Sequence, residues 1–520
     1  MTLASPFPDV DIPEVSLPDL LFSDLGEFAD EPAMIDGTSG QTLTFGQLAH
    51  MVSTVAAALA ERGVGKGDVV AIFSPNTPYY AVVFHGILTA GGVATTINSL
   101  YTPDEIAHQL RDSRAVFMVT VSLFLDRVRA AMAQDGVEVR ELIVLDGAEG
   151  YESLADLLAT TAALPEVSID PAVDLAVLPY SSGTTGLAKG VMLTHRNLVA
   201  NVSQARPVLQ TGPGNRVLAV LPFFHIYGMT IMMNLGLATR STVVTMPRFD
   251  LVEFLRVITE HRIDRVYIAP PVAVALAKHP IVDDYDLSVI DVLLSGAAPL
   301  DGELAATVAK RLDCKIRQGY GMTELSPLSH AIPVDRDDIS PGTVGVLVPN
   351  MEARLVDVAT GEDVPAVGHP GELWLRGPNV MIGYLNNKEA TAATIDEDGW
   401  LHTGDVATVD DNGVYAIVDR VKELIKYKGY QVPPAELEAL LLTHPSIADA
   451  AVIGVNDADG EEVPKAFVVC QPSATLSADE VMAFVADRVA PHKKVRVVEF
   501  IDAIPKSASG KILRKDLRTR

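Results

Sequence analysis

Apolar residues recur along most of the chain in two alternating patterns. From about Phe45 to Arg62 they have the spacing of an amphipathic helix, and Gly63 and Gly65 then interrupt the chain before the apolar run DVVAIFS. AVFMVTV and ELIVLDG have the length of buried strands, and FDLVEFLRVITEHRIDRVYIAPP repeats the order of helix and strand. Strands separated by helices favour a parallel sheet with helices on both faces, so the pattern predicts an α/β protein.

The pattern changes after Gly371. GELWLRGP, GWLHTGDVATVDDNGVYAIVDR and VKELIKYKGY are short alternating segments with Gly and Asn-Gly turns, which predict a β-barrel-like region. PPAELEALLLTHPSIADAAVIGV then predicts a helix and a strand, and SADEVMAFVADRV predicts another helix. We therefore expect a large domain over residues 1–419 and a small α+β domain over residues 420–520.

Length and charge support this division. The chain has 520 residues, more than one hydrophobic core usually organises. Its net charge is −27, but residues 420–520 carry 15 Lys and Arg against 14 Asp and Glu, whereas residues 1–419 carry 25 against 53. The acidic balance argues against nucleic-acid binding, which requires a basic surface. The nearly neutral small domain is better suited than the rest to approach an anionic substrate.

The remaining composition predicts a soluble cytoplasmic enzyme. Cys314 and Cys470 are the only cysteines, which excludes a disulfide scaffold and fits a reducing compartment. The first residues lack the basic and apolar regions of a signal peptide. No apolar run reaches the ~20 residues that a transmembrane helix needs.

The segment YSSGTTGLAKGVMLTHRN, residues 180–197, combines hydroxyl side chains, glycines and one lysine. It is not a Walker A loop, because Lys189 follows Ala188 and precedes Gly190. DLAVLPYS and GVMLTH, on its two sides, both have the pattern of strands, so we expect a hairpin-like loop. Hydroxyls, backbone N–H groups and the lysine could bind phosphate, although a polar turn without a ligand is the simpler interpretation of the loop alone.

Further motifs follow the loop in a fixed order. They are LPFFHIYG (221–228), QGYGMTE (318–324), GWLHTGDV (399–406), VDRVKELIKYKGYQVPPAELE (418–438) and PKSASGKILR (505–514). With the loop, they resemble the acyl-adenylate-forming enzymes, which include acyl-CoA synthetases, firefly luciferase and peptide-synthetase adenylation domains. FHIYG and KELIKYKGYQV are most similar to the 4-coumarate–CoA ligases and their bacterial relatives. The resemblance covers essentially the whole chain and implies a ligase that joins a carboxylic acid to AMP, releases pyrophosphate and transfers the acyl group to CoA.

The resemblance also implies a nucleotide site with Mg²⁺ as cofactor and Glu324 as its ligand. The β- and γ-phosphates would contact Ser181, Ser182, Gly183, Thr184, Thr185 and Lys189. The remainder of ATP or AMP would contact Gln318, Gly319, Tyr320, Thr323, Asp405, Arg420, Lys422 and Lys426.

Other residues are implied in catalysis and in acyl binding. Lys511 would reach the α-phosphate and the substrate carboxylate as charge develops there, assisted by Lys426 and Gln431. His225 would act as an orienting or gating group. Tyr227 and Ala297 would form opposite walls of the acyl pocket.

The resemblance further implies a small domain that acts as a mobile lid. It would swing about Asp419 and present different faces in the two steps. Lys511 would enter the cleft for adenylation, and Lys428 and Gly429 would line the path for CoA in the second step. Arg248 is a further candidate for binding the CoA phosphates.

Several alternatives remain open from the sequence. An amino-acid-adenylating enzyme would need an acid beside His225, where the chain has Ile226. An oxidative, light-emitting enzyme is not excluded by the motifs, whereas the intact lysine, glutamate and hinge motifs argue against a non-catalytic acyl-nucleotide binder. We expect an aryl or hydroxycinnamic acid as substrate. However, Leu325 and Ser326 replace the small Ala-Gly pair of plant 4-coumarate ligases, and Met229–Met233 could line a pocket for a medium- or long-chain fatty acid. The chain contains no carrier domain, and we expect a monomer or a homodimer.

Overall fold

The structure is a computed structural model. It describes residues 2–181, 188–358, 360–365, 367–427, 430–457, 462–472, 474–507 and 510–518, with only the backbone at Tyr430 and Gln431.

A seven-stranded mixed sheet organises the first part of the chain. Its strands in spatial order are Gly383–Tyr384, Lys189–Thr194, Leu175–Ser181, Val93–Thr96, Val69–Phe73, Phe117–Thr120 and Glu141–Val144. The first two neighbouring pairs are antiparallel, and all the others are parallel. The strands on either side of the hydroxyl-rich loop pair with each other, with Ser181 opposite Lys189, so the prediction of a hairpin-like loop is confirmed.

A nine-stranded sheet forms a second layer. Its strands in spatial order are Val346–Leu347, Leu328–Ala331, Lys315–Gly321, Val292–Ser295, Arg265–Ile268, Arg216–Ala219, Thr242–Thr245, Pro32–Asp36 and Thr42–Thr44. The six strands from Lys315–Gly321 to Pro32–Asp36 are parallel to one another, and the strands at both edges are antiparallel. The parallel α/β arrangement predicted from the sequence is therefore present in both large sheets.

Helices connect and cover these two sheets. They are Leu17–Phe22, Phe45–Glu61, Pro78–Thr89, Pro103–Ser113, Leu125–Met132, Leu154–Leu158, His195–Leu209, Leu235–Ala238, Leu251–His261, Pro270–Lys278, Gly302–Leu312 and Lys388–Thr394. A π-helix at Tyr227–Asn234 and 3₁₀ turns at Gly26–Phe28, Ser122–Phe124, Pro280–Asp284 and Thr323–Leu325 complete this part.

The helix predicted over Phe45–Arg62 is observed at Phe45–Glu61. It begins where Thr44 and Gln47 form a capping box, in which each side chain accepts a hydrogen bond from the other residue's backbone N–H. Its apolar face is fully buried in the core between the two large sheets.

The β-rich region after Gly371 contributes three strands to a five-stranded antiparallel sheet, whose other two strands precede Gly371 in the sequence. The strands of the sheet are Leu3–Ala4, Glu352–Val356, Gly371–Arg376, Leu401–Val409 and Tyr415–Arg420. Leu373 and Leu375 are fully buried, whereas their neighbours Glu372 and Trp374 are only partly buried, as the alternating pattern predicts. Asp419 lies near the end of the last strand, which places the predicted hinge where this sheet ends.

The remaining residues form a small α+β unit with its own hydrophobic clusters. It contains the hairpin Ile425–Tyr427 and Tyr430–Val432 and the three-stranded sheet Ile447–Asn456, Glu462–Cys470 and Val497–Phe500. Its helices are Pro434–Leu442, Ala478–Ala486 and Arg514–Arg518, with a 3₁₀ turn at Pro491–Lys493. Among the described residues, no helix of either part is long and apolar enough to cross a membrane.

The small unit rests on the large one near the cleft. Lys278 Nζ, at the end of the helix Pro270–Lys278, donates to the carbonyls of Leu442 and Ile447, both at 3.3 Å. A Cβ placed on Gly510 would lie 3.4 Å from the Ala269 Cβ, so the backbone next to Lys511 packs directly against the large unit. This orientation brings Lys511 to the cleft.

Candidate active site

The loop that carries His225 is fixed by buried polar side chains. Asn76 donates to the carbonyls of Ala219 and Leu221 at 3.0 and 2.8 Å and accepts from the Phe223 N–H at 2.7 Å. Thr96 donates to the Phe224 carbonyl at 2.8 Å. These hydrogen bonds therefore fix the backbone conformation on the N-terminal side of His225.

His225 is neutral in this site. Its Nδ1 accepts the Tyr227 N–H at 3.3 Å, which leaves the proton of the neutral ring on Nε2. Burial and, to a smaller extent, the positive charge of Lys511 lower the pKa of His225 to about 3. A neutral imidazole with one N–H is suited to orient a substrate by donating a hydrogen bond, and less suited to act as a charged group.

Gly296 lies close to the Tyr227 ring and directly precedes Ala297 in the sequence. A Cβ on Gly296 would lie 3.0 Å from the Tyr227 ring, so the ring can lie there only because this residue is glycine. Ala297 follows with a positive φ of 71°, an uncommon conformation for a residue with a side chain. The two predicted acyl-pocket residues thus lie on either side of one glycine.

Glu324 forms a compact polar cluster at the other end of the cleft. Its Oε1 accepts hydrogen bonds from the hydroxyls of Ser181 at 3.1 Å and Tyr384 at 2.8 Å. The Lys189 Nζ lies 3.9 Å from the centre of the Tyr384 ring. The cluster therefore joins the predicted metal ligand to both ends of the predicted phosphate loop.

Tyr320, Asp405 and Arg420 form a second cluster. The Tyr320 hydroxyl donates to Asp405 Oδ2 at 2.5 Å, and Arg420 Nε donates to Oδ1 at 3.2 Å. Asp405 and Arg420 are paired residues of neighbouring strands, which explains why residues far apart in the sequence meet here. Burial raises the pKa of Asp405, and the charge of Arg420 opposes that shift.

The charge of Lys511 interacts with both of these clusters and with His225. Burial lowers the pKa of Lys511, as does the charge of Arg420, whereas the carboxylates of Asp405 and Glu324 raise it. Since Lys511 also acts on the pKa of His225, its ammonium is within electrostatic reach of both ends of the cleft. The role of Lys511 in adenylation remains a prediction.

The Lys511 loop is anchored within the small unit by Arg514. The guanidinium donates to both carboxylate oxygens of Glu438 at 2.7 Å and pairs with Glu423 at 2.7 Å. Glu438 is buried and also accepts the Val452 N–H at 2.8 Å. Ser507 adds a local contact, because its hydroxyl accepts the Lys511 N–H at 3.1 Å.

Some predicted site residues do not have their side chains in the cleft. Gln318 is buried, and its amide is bound to the backbone of Leu300 and the carbonyl of Pro341, so this side chain does not face a nucleotide. Lys422, Lys426 and Arg248 are exposed. A role for these three side chains in ATP or CoA binding remains a prediction.

The other predicted residues divide into two groups. Gly319, in the strand Lys315–Gly321, and Thr323, in the 3₁₀ turn Thr323–Leu325, are partly buried beside Tyr320 and Glu324. Ser182, Gly183, Thr184, Thr185, Lys428, Gly429 and the side chain of Gln431 lie outside the described residues.

Sequence reasoning missed three residues that the structure connects to the site: Tyr384, Lys278 and Arg514. Tyr384 occurs in GYLNN, where nothing in the local pattern indicates a partner that is 60 residues earlier. Arg514 is the last residue of the PKSASGKILR motif, so its position was visible although its role was not. The contact of Lys278 depends on how the two units meet and has no signature in the sequence.

Comparison with known proteins identifies the family to which this chain belongs. Residues 22–385 match the family model described as AMP-binding enzyme, and residues 436–511 match the AMP-binding enzyme C-terminal domain. The chain therefore belongs to the AMP-binding enzyme family.

Relatives that match nearly the whole chain define the class of enzyme more narrowly. The chain is 44% identical to 4-coumarate–CoA ligase 5 of Oryza sativa subsp. japonica and 43% identical to 4-coumarate–CoA ligase 2 of Nicotiana tabacum, in both cases over 99% of this chain and 96% of the relative. Its structure is similar to the crystal structure of the anthranilate CoA ligase AuaEII in complex with anthranoyl-AMP. The TM-score is 0.90 with 27% sequence identity, and the match covers 98% of each chain. The predicted fold and family are confirmed.

Proposed function

We propose that the chain is an ATP-dependent ligase that joins a hydroxycinnamic acid to CoA through an acyl-adenylate. The observation that supports the adenylation step is the electrostatic interaction of Lys511 with His225 and with the carboxylates of Asp405 and Glu324. A charged donor at this point faces the region where negative charge develops between a carboxylate and the α-phosphate of ATP.

In the first half-reaction, a carboxylate oxygen of the acid attacks the α-phosphorus, and the bond from this phosphorus to pyrophosphate breaks. Lys511 stabilises the negative charge on the oxygens around the α-phosphorus. Tyr320, Asp405 and Arg420 bind the nucleoside, and Ser181 and Lys189 bind the departing pyrophosphate. The neutral His225 donates a hydrogen bond that orients the acyl carboxylate.

Glu324 fits a Mg²⁺ ligand. The described residues contain no group of three or more His, Cys, Asp or Glu side chains that could hold a metal by themselves. A single buried carboxylate suits Mg²⁺, which commonly takes one or two protein carboxylates together with phosphate oxygens and water. When bound with ATP, the ion would neutralise phosphate charge.

In the second half-reaction, the CoA sulfur attacks the acyl carbon. The bond from that carbon to the AMP oxygen breaks, the thiol proton leaves, and AMP is released with the thioester. We propose that the lid turns about Asp419 between the two steps, so that Lys511 leaves the cleft and the segment with Lys428 and Gly429 approaches it.

A hydroxycinnamic acid is favoured by the full-length similarity to two plant 4-coumarate–CoA ligases. Leu325 and Ser326 are fully buried, and the Ser326 hydroxyl is bound to the Asn379 carbonyl at 2.8 Å, so neither side chain presents a polar group to a substrate. Met229, Met232 and Met233 are buried in the main core, which supports a packing role over an adaptable fatty-acid pocket.

A substrate screen tests the proposal. The chain would be assayed for AMP, pyrophosphate and thioester with ATP, MgCl₂, CoA and each of 4-coumarate, cinnamate, benzoate and decanoate. We expect 4-coumarate to give the highest kcat/KM and equal amounts of AMP and thioester. A higher kcat/KM for decanoate would overturn the choice of substrate, and the absence of thioester with every acid would overturn the proposed function.

A further inference from the structure

Tyr384 contacts both a predicted metal ligand and a predicted phosphate-binding lysine. Its hydroxyl donates to Glu324 Oε1 at 2.8 Å, and its ring lies 3.9 Å from the Lys189 Nζ. The two contacts use different parts of one side chain, so they do not compete. The rigid phenol of Tyr384 thus separates the Glu324 carboxylate from the Lys189 ammonium, which would otherwise attract each other directly.

The position of Tyr384 is itself firmly determined. Tyr384 is 5% exposed, and its strand pairs with Lys189–Thr194, with Tyr384 opposite Val191. Its backbone N–H donates to the Thr391 hydroxyl at 2.9 Å. A Cβ on the preceding Gly383 would lie 2.8 Å from the Thr391 side chain, so a larger residue there would displace the strand. The Tyr384 phenol therefore has little freedom to shift when Glu324 or Lys189 moves.

We propose that Tyr384 is a positioning residue for Mg·ATP. Its hydroxyl fixes the Glu324 carboxylate for the metal, and its ring holds Lys189 beside the phosphate loop and away from Glu324. An ammonium on an aromatic face keeps its charge available, whereas a direct Lys–Glu ion pair would neutralise both groups before the nucleotide arrives. The inference rests on the proposed nucleotide-binding function of Glu324 and Lys189.

The two contacts can be separated by substitution. Tyr384→Phe keeps the ring under Lys189 and removes only the hydrogen bond to Glu324. Tyr384→Leu removes both contacts. The dissociation constants of each variant would be measured by calorimetry for ATP with MgCl₂ and for ATP with EDTA, without any acid or CoA, so that binding is read independently of turnover.

We expect Tyr384→Phe to weaken ATP binding in MgCl₂ about tenfold, the size of one lost hydrogen bond to a charged group. ATP binding in EDTA should change less than about twofold, because Lys189 keeps its aromatic contact. Tyr384→Leu should weaken binding under both conditions. In a double-mutant cycle, Tyr384→Phe should add little to Glu324→Gln, since both changes act on the same carboxylate contact.

Tyr180→Phe is the matched control. It removes an equivalent tyrosine–carboxylate hydrogen bond, from the Tyr180 hydroxyl to Asp112 Oδ2 at 2.7 Å, on the strand that also carries Ser181. It should change ATP binding in MgCl₂ and in EDTA by the same factor. Thermal unfolding of each variant would verify that the binding data come from folded protein.

The possible results distinguish the inference from the proposed function. Equal loss of ATP binding in MgCl₂ and in EDTA for Tyr384→Phe, or additive effects in the double-mutant cycle, would overturn the inference alone. If the unsubstituted chain did not bind ATP in MgCl₂ at all, the proposed function would be overturned together with the inference.

Discussion

Glu324 and Lys511 face the same cleft, but the chain holds them by different kinds of contact. Glu324 is buried and is bound by Ser181 and Tyr384, both from the large sheet that carries the phosphate loop. Lys511 belongs to the small unit, and its loop reaches the large unit through the packing of Gly510 on Ala269. The contacts of Glu324 therefore lie within the large unit, whereas Lys511 belongs to the small unit and its position depends on how the two units meet.

Under the proposed function, this difference would let one cleft serve two reactions. The groups that bind the nucleotide would stay in place throughout, because AMP is present in both half-reactions. The charge that assists only the first reaction would be carried on a part that can leave. Substitutions in the two regions should consequently have different effects on the two half-reactions.

Arg514→Met should have the largest effect, because it removes the clamp beneath the Lys511 loop. Glu438 would be left buried without its partner, which typically costs about 3–5 kcal/mol. We expect the small unit to unfold at a lower temperature than the large one, with loss of adenylation. Differential scanning calorimetry would detect this separation, and the exposed Arg518→Met is the control. A single transition at the original temperature would contradict a role for the clamp in stability.

Lys511→Ala should lower the rate of acyl-AMP formation about 10²–10³-fold, the scale of a lost transition-state donor. Thioester formation from synthetic acyl-AMP and CoA should remain nearly unchanged. Both rates would be measured by quenched flow, with the exposed Lys515→Ala as a control in the same segment. Equal loss in both half-reactions would contradict the assignment of Lys511 to one lid orientation.

Asp419 should make the stability of the hinge depend on pH. Burial raises its pKa from 3.8 to about 7, although the N–H groups of Arg420 and Ala435 bind its carboxylate at 2.6 and 3.2 Å. Because the folded pKa exceeds the unfolded one, this group favours folding at low pH, and its contribution is lost as the pH rises from about 4 to about 7.

Asp419→Asn should remove that slope. The melting temperature of the variant relative to the parent chain should increase from pH 5 to pH 7 and then level off. Thermal unfolding across this pH range provides the measurement. A constant difference at every pH would show that Asp419 does not titrate in this range.

Lys278→Met should have a smaller effect, because it removes two hydrogen bonds of 3.3 Å between the units while leaving the Gly510 contact. We expect adenylation to slow about threefold to tenfold, corresponding to about 1 kcal/mol for such bonds, and thioester formation to be unaffected or faster. The exposed Lys310→Met, on the neighbouring helix Gly302–Leu312, is the control. A slower second half-reaction would contradict a contact specific to the adenylation orientation.

Ala188→Pro should have the smallest effect. Ala188 directly precedes Lys189, and the fixed φ of a proline there would reduce the freedom of the loop before ATP binds. We expect ATP to bind about twofold to fivefold more tightly, corresponding to about 0.4–1 kcal/mol of backbone entropy. Unchanged affinity and loop order would show that Ala188 does not loosen the loop.

Local features of the sequence predicted much of the fold. The apolar spacing and the glycines after it placed the helix Phe45–Glu61 to within one residue. The strands on either side of the hydroxyl-rich loop were predicted as well, since their apolar runs are bounded by turn residues. The placement of Pro32–Asp36 beside Thr242–Thr245 was not, because sheet order is set by tertiary packing between distant segments.

The candidate site was likewise predicted only in part from the sequence. The resemblance of the motifs to the adenylate-forming enzymes implied roles for Glu324, Asp405, Arg420 and Lys511. The motifs did not indicate that the Gln318 amide turns inward to the Leu300 and Pro341 carbonyls. Nor did they indicate Tyr384, whose partners come from a neighbouring strand and a distant turn. Contacts between segments remain invisible in a single sequence.

The central claim is that the chain activates an acid as its adenylate before CoA reacts. A single-turnover experiment with α-labelled ATP, MgCl₂ and 4-coumarate, with CoA added only after pyrophosphate release is complete, tests it most directly. We predict that one equivalent of labelled 4-coumaroyl-AMP forms without CoA and is then converted to AMP and thioester in equal amounts. Labelled ADP, or a thioester that forms without prior adenylate, would contradict the account.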